Sequence, residues 1–394
     1  MFTNNAIQGF ANVETPFYYY DLSVLRNTLD ACRDASSKYG FHVHYAMKAN
    51  FNPRVIDMVQ SYGFGADCVS GNEVKAAINH GFSKSKVVFA GVGKSDKEIN
   101  EALDADIFCF NVESVQELEI IDELAAAKGK VAGVAIRINP NVDAHTHHFI
   151  TTGLDENKFG INTWQLNDVA DALRKLSHIN FLGIHFHVGS QITDMEVFRN
   201  LCNRINEIQD WFEGRGFNVK ILNAGGGLGV DYYQPDTNVP DFESYFKVFS
   251  QFLKVKPGQE VHFELGRALV AQSASLIARV LYVKNGQKKN FLILDAGMTE
   301  LMRPMLYQAY HAIENLSQRS EKHSQPNPNH SLVKYDVVGP ICESTDCFRK
   351  DVELPQSFRG DLIAIRTAGA YGEVMASNYN LRDKVQSVYA DSGI

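Results

Sequence analysis

Short runs of β-branched and aromatic residues alternate along most of this chain with stretches whose apolar positions recur at intervals of three and four. Period two with β-branched enrichment predicts strands, and the three-four spacing predicts helices that bury one face. Eight strand-like runs follow one another: 42–48 (HVHYAMK), 65–70, 87–92, 106–113, 131–140, 179–190, 219–227 and 260–266. Between them lie amphipathic stretches such as NEVKAAINHG and VESVQELEIIDELAAAKG, each stopping at a glycine. Strictly alternating strand and helix patterns imply parallel strands with helices outside them. Eight such units match the size and order of a (β/α)8 TIM barrel, expected here over residues 20–266. Beyond it the texture changes to consecutive β-rich segments (SLIARVLYVKN, KNFLILDAG, SLVKYDVVGPIC, GDLIAIRTAGAYG), which predict a mainly antiparallel β-sandwich or barrel domain over 267–394. Residues 1–19 are expected to add a strand to that second domain, and 317–331, polar and rich in proline and asparagine, to form a surface insert.

Composition narrows the function classes. With 45% hydrophobic and 21% charged residues over 394 positions, the chain has enough apolar side chains for two cores. The formal charge of −8 is spread along the sequence without a basic stripe, which argues against nucleic acid as a partner. No window approaches the roughly 18 apolar residues of a membrane span, and the N-terminus lacks a secretory pattern, so no membrane association and a cytoplasmic location are expected. Six scattered cysteines, mostly within apolar runs, suit reduced thiols.

The barrel places chemistry at the C-terminal ends of its strands. Lys48 closes the first strand, Asp67 lies at the end of the second, and His185, His187 and Ser190 at the end of the sixth. Gly225, Gly226 and Gly227 follow the seventh, and Glu264, Gly266 and Arg267 end the eighth. Consecutive glycines let backbone N–H groups turn toward an anion, though a tight turn without a ligand would use them equally well. Arg267 and Ser190 could add charge-assisted and hydroxyl bonds to the same phosphate. Glu264 reads either as a strand-end carboxylate paired with Arg267 or as an acid aimed at a heterocyclic nitrogen. Two histidines two apart, at 185 and 187, could also be metal ligands, but a third ligand is not identified; the His-rich stretch HTHH at 145–148 reads as a solvated loop, and no metal is expected. A lysine, a phosphate cradle, an imidazole able to stack and an acid together meet the requirements of pyridoxal 5′-phosphate (PLP).

The motifs YAMKAN, HFHVGS, GGGLG, ELGR, DAGMTELMRPMLYQAYH, GPICES and AGAYGEVMASNYN, in this order over about residues 15–385, resemble those of the PLP-dependent decarboxylases built from a barrel and a β domain. RPMLY and AGAYG point to the branch that acts on diaminopimelate. The resemblance implies that Lys48 carries the cofactor covalently, His187 stacks on its ring and Glu264 contacts its ring nitrogen. It further implies that Asp67 belongs to the cofactor site, and that Ser190, Gly225, Gly226, Gly227 and the segment from Glu264 through Gly266 to Arg267 hold the phosphate. Arg267, Arg303, Tyr307, Glu343 and Tyr371 would bind substrate, Tyr371 also lying near the cofactor. Cys342 or Lys48 is the candidate proton donor, and in such a homodimer Cys342 and Glu343 would come from the partner subunit, so that active sites are shared. The expected reaction converts meso-2,6-diaminopimelate to L-lysine and CO2. One departure is Leu265, where this family usually has proline. Alternatives remain: a decarboxylase of ornithine or carboxynorspermidine on the same scaffold, an amino-acid racemase, or a PLP-carrying regulatory barrel.

Overall fold

The computed structural model describes residues 2–142, 158–236, 239–317 and 332–390. It divides into two compact units, one comprising Leu29–Gly229 and Pro240–Ala268, the other Met1–Thr28, Val230–Val239 and Leu269–Ile394. The second unit therefore holds a segment, Val230–Val239, from within the stretch read as barrel. Its side chains are committed there: Tyr232 lies edge-on to His311, and Asp236 accepts from the buried Arg366 at 2.6 Å.

Strand β1 (Phe17–Asp21) belongs to the β unit, and the barrel follows it in sequence. The barrel strands are β2 (His42–Ala46), β3 (Gly65–Cys68), β4 (Val87–Phe89), β5 (Cys109–Val112), β6 (Ala132–Arg137), β7 (Ile179–His185), β8 (Ile221–Asn223) and β9 (Glu260–Leu265). All neighbours are parallel, and β9 pairs back onto β2 to close the ring. These are the eight strands expected, in order, but each paired segment ends before its apolar run does. Met47, Ala49, Val188 and Ala224 lie beyond the strand ends and are nevertheless buried. Apolar patterning records burial, and the loops at this end of the barrel are packed inward, so the pattern outruns the hydrogen-bonded ladder.

Most of the described helices between the strands begin on side-chain caps, Leu166–Lys175 being an exception. Ser70 and Ser114 accept the N–H groups of Glu73 and Glu117 at 3.2 and 3.0 Å, which satisfies donors a helix start leaves open. The helix Val115–Ala127 buries Leu118, Ile121 and Ala125, the face that the three-four spacing predicts.

In the β unit, β10 (Ala274–Asn285), β11 (Asn290–Leu294), β12 (Ile313–Asn315), β13 (Leu332–Val338), β14 (Cys347–Pro355), β15 (Leu362–Ile365) and β16 (Gln386–Ala390) join β1. Their order is β12-β15-β10-β11-β13-β14, with β1 between β10 and β16. Pairing is antiparallel except for β11 with β13 and β1 with β16. Phe17, Tyr18, Tyr19 and Tyr20 of β1 are all buried, so this strand is interior on both faces. The insert over 318–331 and the histidines at 145, 147 and 148 lie outside the described residues.

Candidate cofactor and substrate site

Lys48 sits on a single 3-10 turn, Met47–Ala49, directly after β2. Gly266 fixes that turn from the neighbouring strand end: a Cβ there would lie 2.9 and 3.1 Å from the Cβ atoms of Ala49 and Ala46. Leu265, standing where proline was expected, is buried and continues β9 opposite Tyr45. The Lys48 ammonium lies 3.5 Å from Asp67 Oδ2 and its side chain remains 36% exposed, whereas that of Asp67 is fully enclosed. Burial, reinforced by the charge of Glu264 and opposed by Lys48, pushes the Asp67 carboxyl up to about 8. Its Oδ1 is buried without a partner among the described residues.

Glu264 is held from three other strands. Its Oε2 accepts from His185 Nε2 at 2.8 Å, and its Oε1 accepts from Asn111 Nδ2 at 2.9 Å and Asn223 Nδ2 at 2.8 Å. The paired reading with Arg267 does not describe it. Burial would by itself raise the Glu264 pKa, but His185, Lys48 and His44 outweigh that and hold it well below the usual carboxylate range. The result is an ionised acid in an enclosed position at the C-terminal end of the barrel. Arg267 instead donates from Nε and Nη2 to Ser190 Oγ at 3.2 and 3.0 Å, bringing together two residues assigned to phosphate.

His185 and His187 serve different partners, so the metal-like spacing does not build a common ligand face. The N–H of Gly226 donates to His187 Nδ1 at 3.4 Å, which leaves Nε2 as the protonated nitrogen of a neutral ring. Desolvation, with Lys48 and Arg137 adding to it, pushes the His187 pKa well down.

The glycine run is required first by backbone packing. Gly225 and Gly227 have φ of 69° and 112°, and a Cβ on Gly226 would stand 1.9 Å from the carbonyl oxygen of Glu264. The Gly225 N–H is taken by Asn223 Oδ1 at 2.9 Å. An anion would therefore draw on Gly227, Ser190 and Arg267 more than on three free N–H groups. Asn111 and Asn223 were not singled out in the sequence; the available signal was an amide inside an otherwise apolar strand, in CFNV and ILN.

In the β unit, Arg303 opens a short helix, Arg303–Tyr307, and is buried. The Arg366 carbonyl accepts from His311 Nδ1 at 2.8 Å, so His311 Nε2 is free to accept from Arg303 Nη1 at 2.9 Å. The guanidinium lies 5.0 Å from the Tyr232 ring centroid, which shields it and limits its motion. Tyr307 is half-buried, and Tyr371 has a φ of 55°, a conformation costly for a bulky residue. Cys342 is exposed, unlike an inert core thiol, with Sγ 3.1 Å from Asn380 Nδ2. Glu343 is exposed and accepts from the Tyr379 hydroxyl at 2.8 Å. The loop carrying both is ordered by the buried Asp346, which accepts from the N–H groups of Met298 and Ile341 at 2.7 and 2.8 Å.

Residues 25–271 match the family described as "Pyridoxal-dependent decarboxylase, pyridoxal binding domain". The chain is 55% identical to a diaminopimelate decarboxylase of Bacteroides thetaiotaomicron, with 98% of each chain covered. It is 37% identical to that of Aquifex aeolicus over 96% of this chain and 87% of the relative. Among solved structures, diaminopimelate decarboxylase from Helicobacter pylori complexed with L-lysine superposes with a TM-score of 0.89 at 37% identity, covering 98% of this chain and 93% of the other.

Proposed function

The chain belongs to the pyridoxal-dependent decarboxylase family, among its diaminopimelate decarboxylases, and from that premise we propose that it converts meso-2,6-diaminopimelate to L-lysine and CO2, the last step of lysine biosynthesis. The observation that carries this reading is the ionised, enclosed Glu264 with its three donors, at the same end of the barrel as Lys48. The residues present fit PLP. Asp67 offers a buried oxygen lacking a partner among the described residues, and Arg267 with Ser190 forms a ready anion site. When bound, PLP supplies an aldehyde for amines and a protonated ring that accepts the electron pair left behind as CO2 departs.

In this reading the amine of Lys48 would hold the cofactor covalently, as the nucleophile toward its aldehyde. Glu264 keeps a proton at the ring nitrogen, with Asn111, Asn223 and His185 fixing its orientation. The imidazole of His187, held neutral by burial, would stack on the ring without adding charge there. Ser190, Arg267 and the glycine segment from 225 to 227 bind the phosphate. Arg303 presents a fixed fork to a substrate carboxylate, an arrangement suited to a diacid and without use for ornithine. Tyr307, Tyr371 and Arg267 complete the grip on substrate, and Glu343 takes the distal ammonium. Cys342 delivers the proton that replaces CO2 at the substrate carbon. Its exposure on an ordered loop, together with that of Glu343, supports a homodimer in which the partner subunit contributes both. No described helix is long and apolar enough to cross a membrane; a cytoplasmic location is part of the proposal, as befits a biosynthetic enzyme.

The test is direct. CO2 release from meso-diaminopimelate and from ornithine is compared, and the protein is treated with borohydride and mapped. Preference for diaminopimelate, lost in Arg303→Ala, and a reduced adduct at Lys48 are expected. Faster release from ornithine would reject the substrate assignment, and an adduct at another lysine would reject the site.

A further inference from the structure

A second cluster stands at the opposite, N-terminal end of the barrel strands. His42 opens β2 with His44 two residues on, and Glu260 opens β9 with His262 two residues on. Side chains two apart share a face of a strand, and His42 pairs in register with His262. The hydrogen bonds decide where the protons are. The Lys86 carbonyl can only accept, so its 3.0 Å contact places a proton on His44 Nδ1. His44 Nε2 in the neutral ring is then an acceptor, and it takes the Nδ1–H of His262 at 2.7 Å. That leaves His262 Nε2 as a bare lone pair, and it faces Glu260 Oε2 3.1 Å away. Two acceptors at this separation repel unless a cation lies between them.

The surroundings suit one. His42 Nε2 lies 3.8 Å from the same carboxylate oxygen, and the three possible ligand atoms fall within 4.8 Å of one another. A tetrahedral zinc ion with bonds of about 2.0–2.1 Å spaces its ligands about 3.3 Å apart. Small rotations of the His42 and Glu260 side chains, 48% and 54% exposed, would reach that spacing around the fixed His262. Two imidazoles and a carboxylate leave a fourth position open, and the His262–His44–Lys86 chain is the outer hydrogen-bond shell that orients a ligating imidazole.

We propose that His42, His262 and Glu260 bind one divalent transition ion of the zinc class and so clamp the first barrel strand to the last. The ion binds the closed barrel and has no site in the open chain, so it stabilises the fold without entering the reaction.

Tag-free holoenzyme, cleared of metal with a chelator that is then removed, is titrated with Co2+ and afterwards with Zn2+. The expected result is one Co2+ per chain with the visible absorption of a four- or five-coordinate ion, displaced by Zn2+. His42→Ala and Glu260→Gln should each weaken uptake at least tenfold and abolish the Zn2+-dependent rise in Tm, while CO2 release stays within twofold of the parent. Absence of Co2+ absorption overturns the proposal and assigns the cluster to a doubly protonated His262 held by Glu260. Uptake of equal strength in both variants overturns it as well, by placing the ion elsewhere.

Discussion

Replacing Glu264 by alanine removes the acceptor of three hydrogen bonds inside the barrel. Asn111 and Asn223 lose Oε1, and His185 loses Oε2. A buried donor left unsatisfied costs about 1–3 kcal/mol, more where its lost partner was charged. The three bonds meet in one small space, so these costs overlap and do not add; about 4 kcal/mol is the expected loss. At about 2–4 °C per kcal/mol for a unit of this size, Tm falls by about 8–16 °C. Glu264→Gln discriminates better. Its amide oxygen can keep both asparagine bonds, but its NH2 then points at His185 Nε2. His185 must move its proton to Nδ1, a buried atom with no partner among the described residues. That rearrangement costs about 1–3 kcal/mol, so the glutamine protein stays folded and retains cofactor. Turnover follows a different rule, because a neutral amide cannot hold a proton on the ring nitrogen. CO2 release should drop at least about 100-fold in both variants, equivalent to about 2.7 kcal/mol of barrier. Scanning fluorimetry, the absorbance of bound cofactor and CO2 release at saturating substrate measure the three quantities separately. A glutamine variant that binds cofactor and keeps more than a third of the parental turnover would refute the reasoning.

Asp67 supplies a pH prediction of definite sign. Its folded-state pKa of about 8 lies above the ordinary 3.8, so the fold binds this proton more tightly than the unfolded chain does. The associated stability is fully present below about pH 4 and drains away as pH rises toward 8. In cofactor-free protein the urea midpoint should therefore fall between pH 5 and 8 more steeply for the parent than for Asp67→Asn, and parallel curves would exclude the assignment. A shared site predicts complementation: Cys342→Ala and Lys48→Ala proteins, each nearly inactive, should on subunit exchange regain about a quarter of parental activity through hybrid dimers. Exchange demonstrated by mass without any recovery would show that each subunit uses its own Cys342.

Much of the architecture was legible because strand and helix periods are local properties of a chain that must bury one face. The eight barrel runs, the helix between 115 and 127, and the positions of Lys48 and Glu264 at strand ends follow from spacing alone. Motif order, from YAMKAN to AGAYGEVM, carried the family. The reason for three consecutive glycines was not legible, since a free anion cradle and a backbone contact with Glu264 make the same demand on composition. Nor was the allegiance of Val230–Val239, whose aromatic and acidic side chains find Arg303, His311 and Arg366 only in the folded β unit.

By itself, then, the sequence determined which stretches are strands and helices, their order, and which polar residues stand near the strand ends. Tertiary structure alone decided partners: Asn111, His185 and Asn223 around Glu264, Ser190 with Arg267, and Glu260 beside His42 and His262. The physical reason is register. Closure of β9 onto β2 sets which residues of distant strands lie opposite one another, and a shift of one residue would turn each of these side chains to the other face.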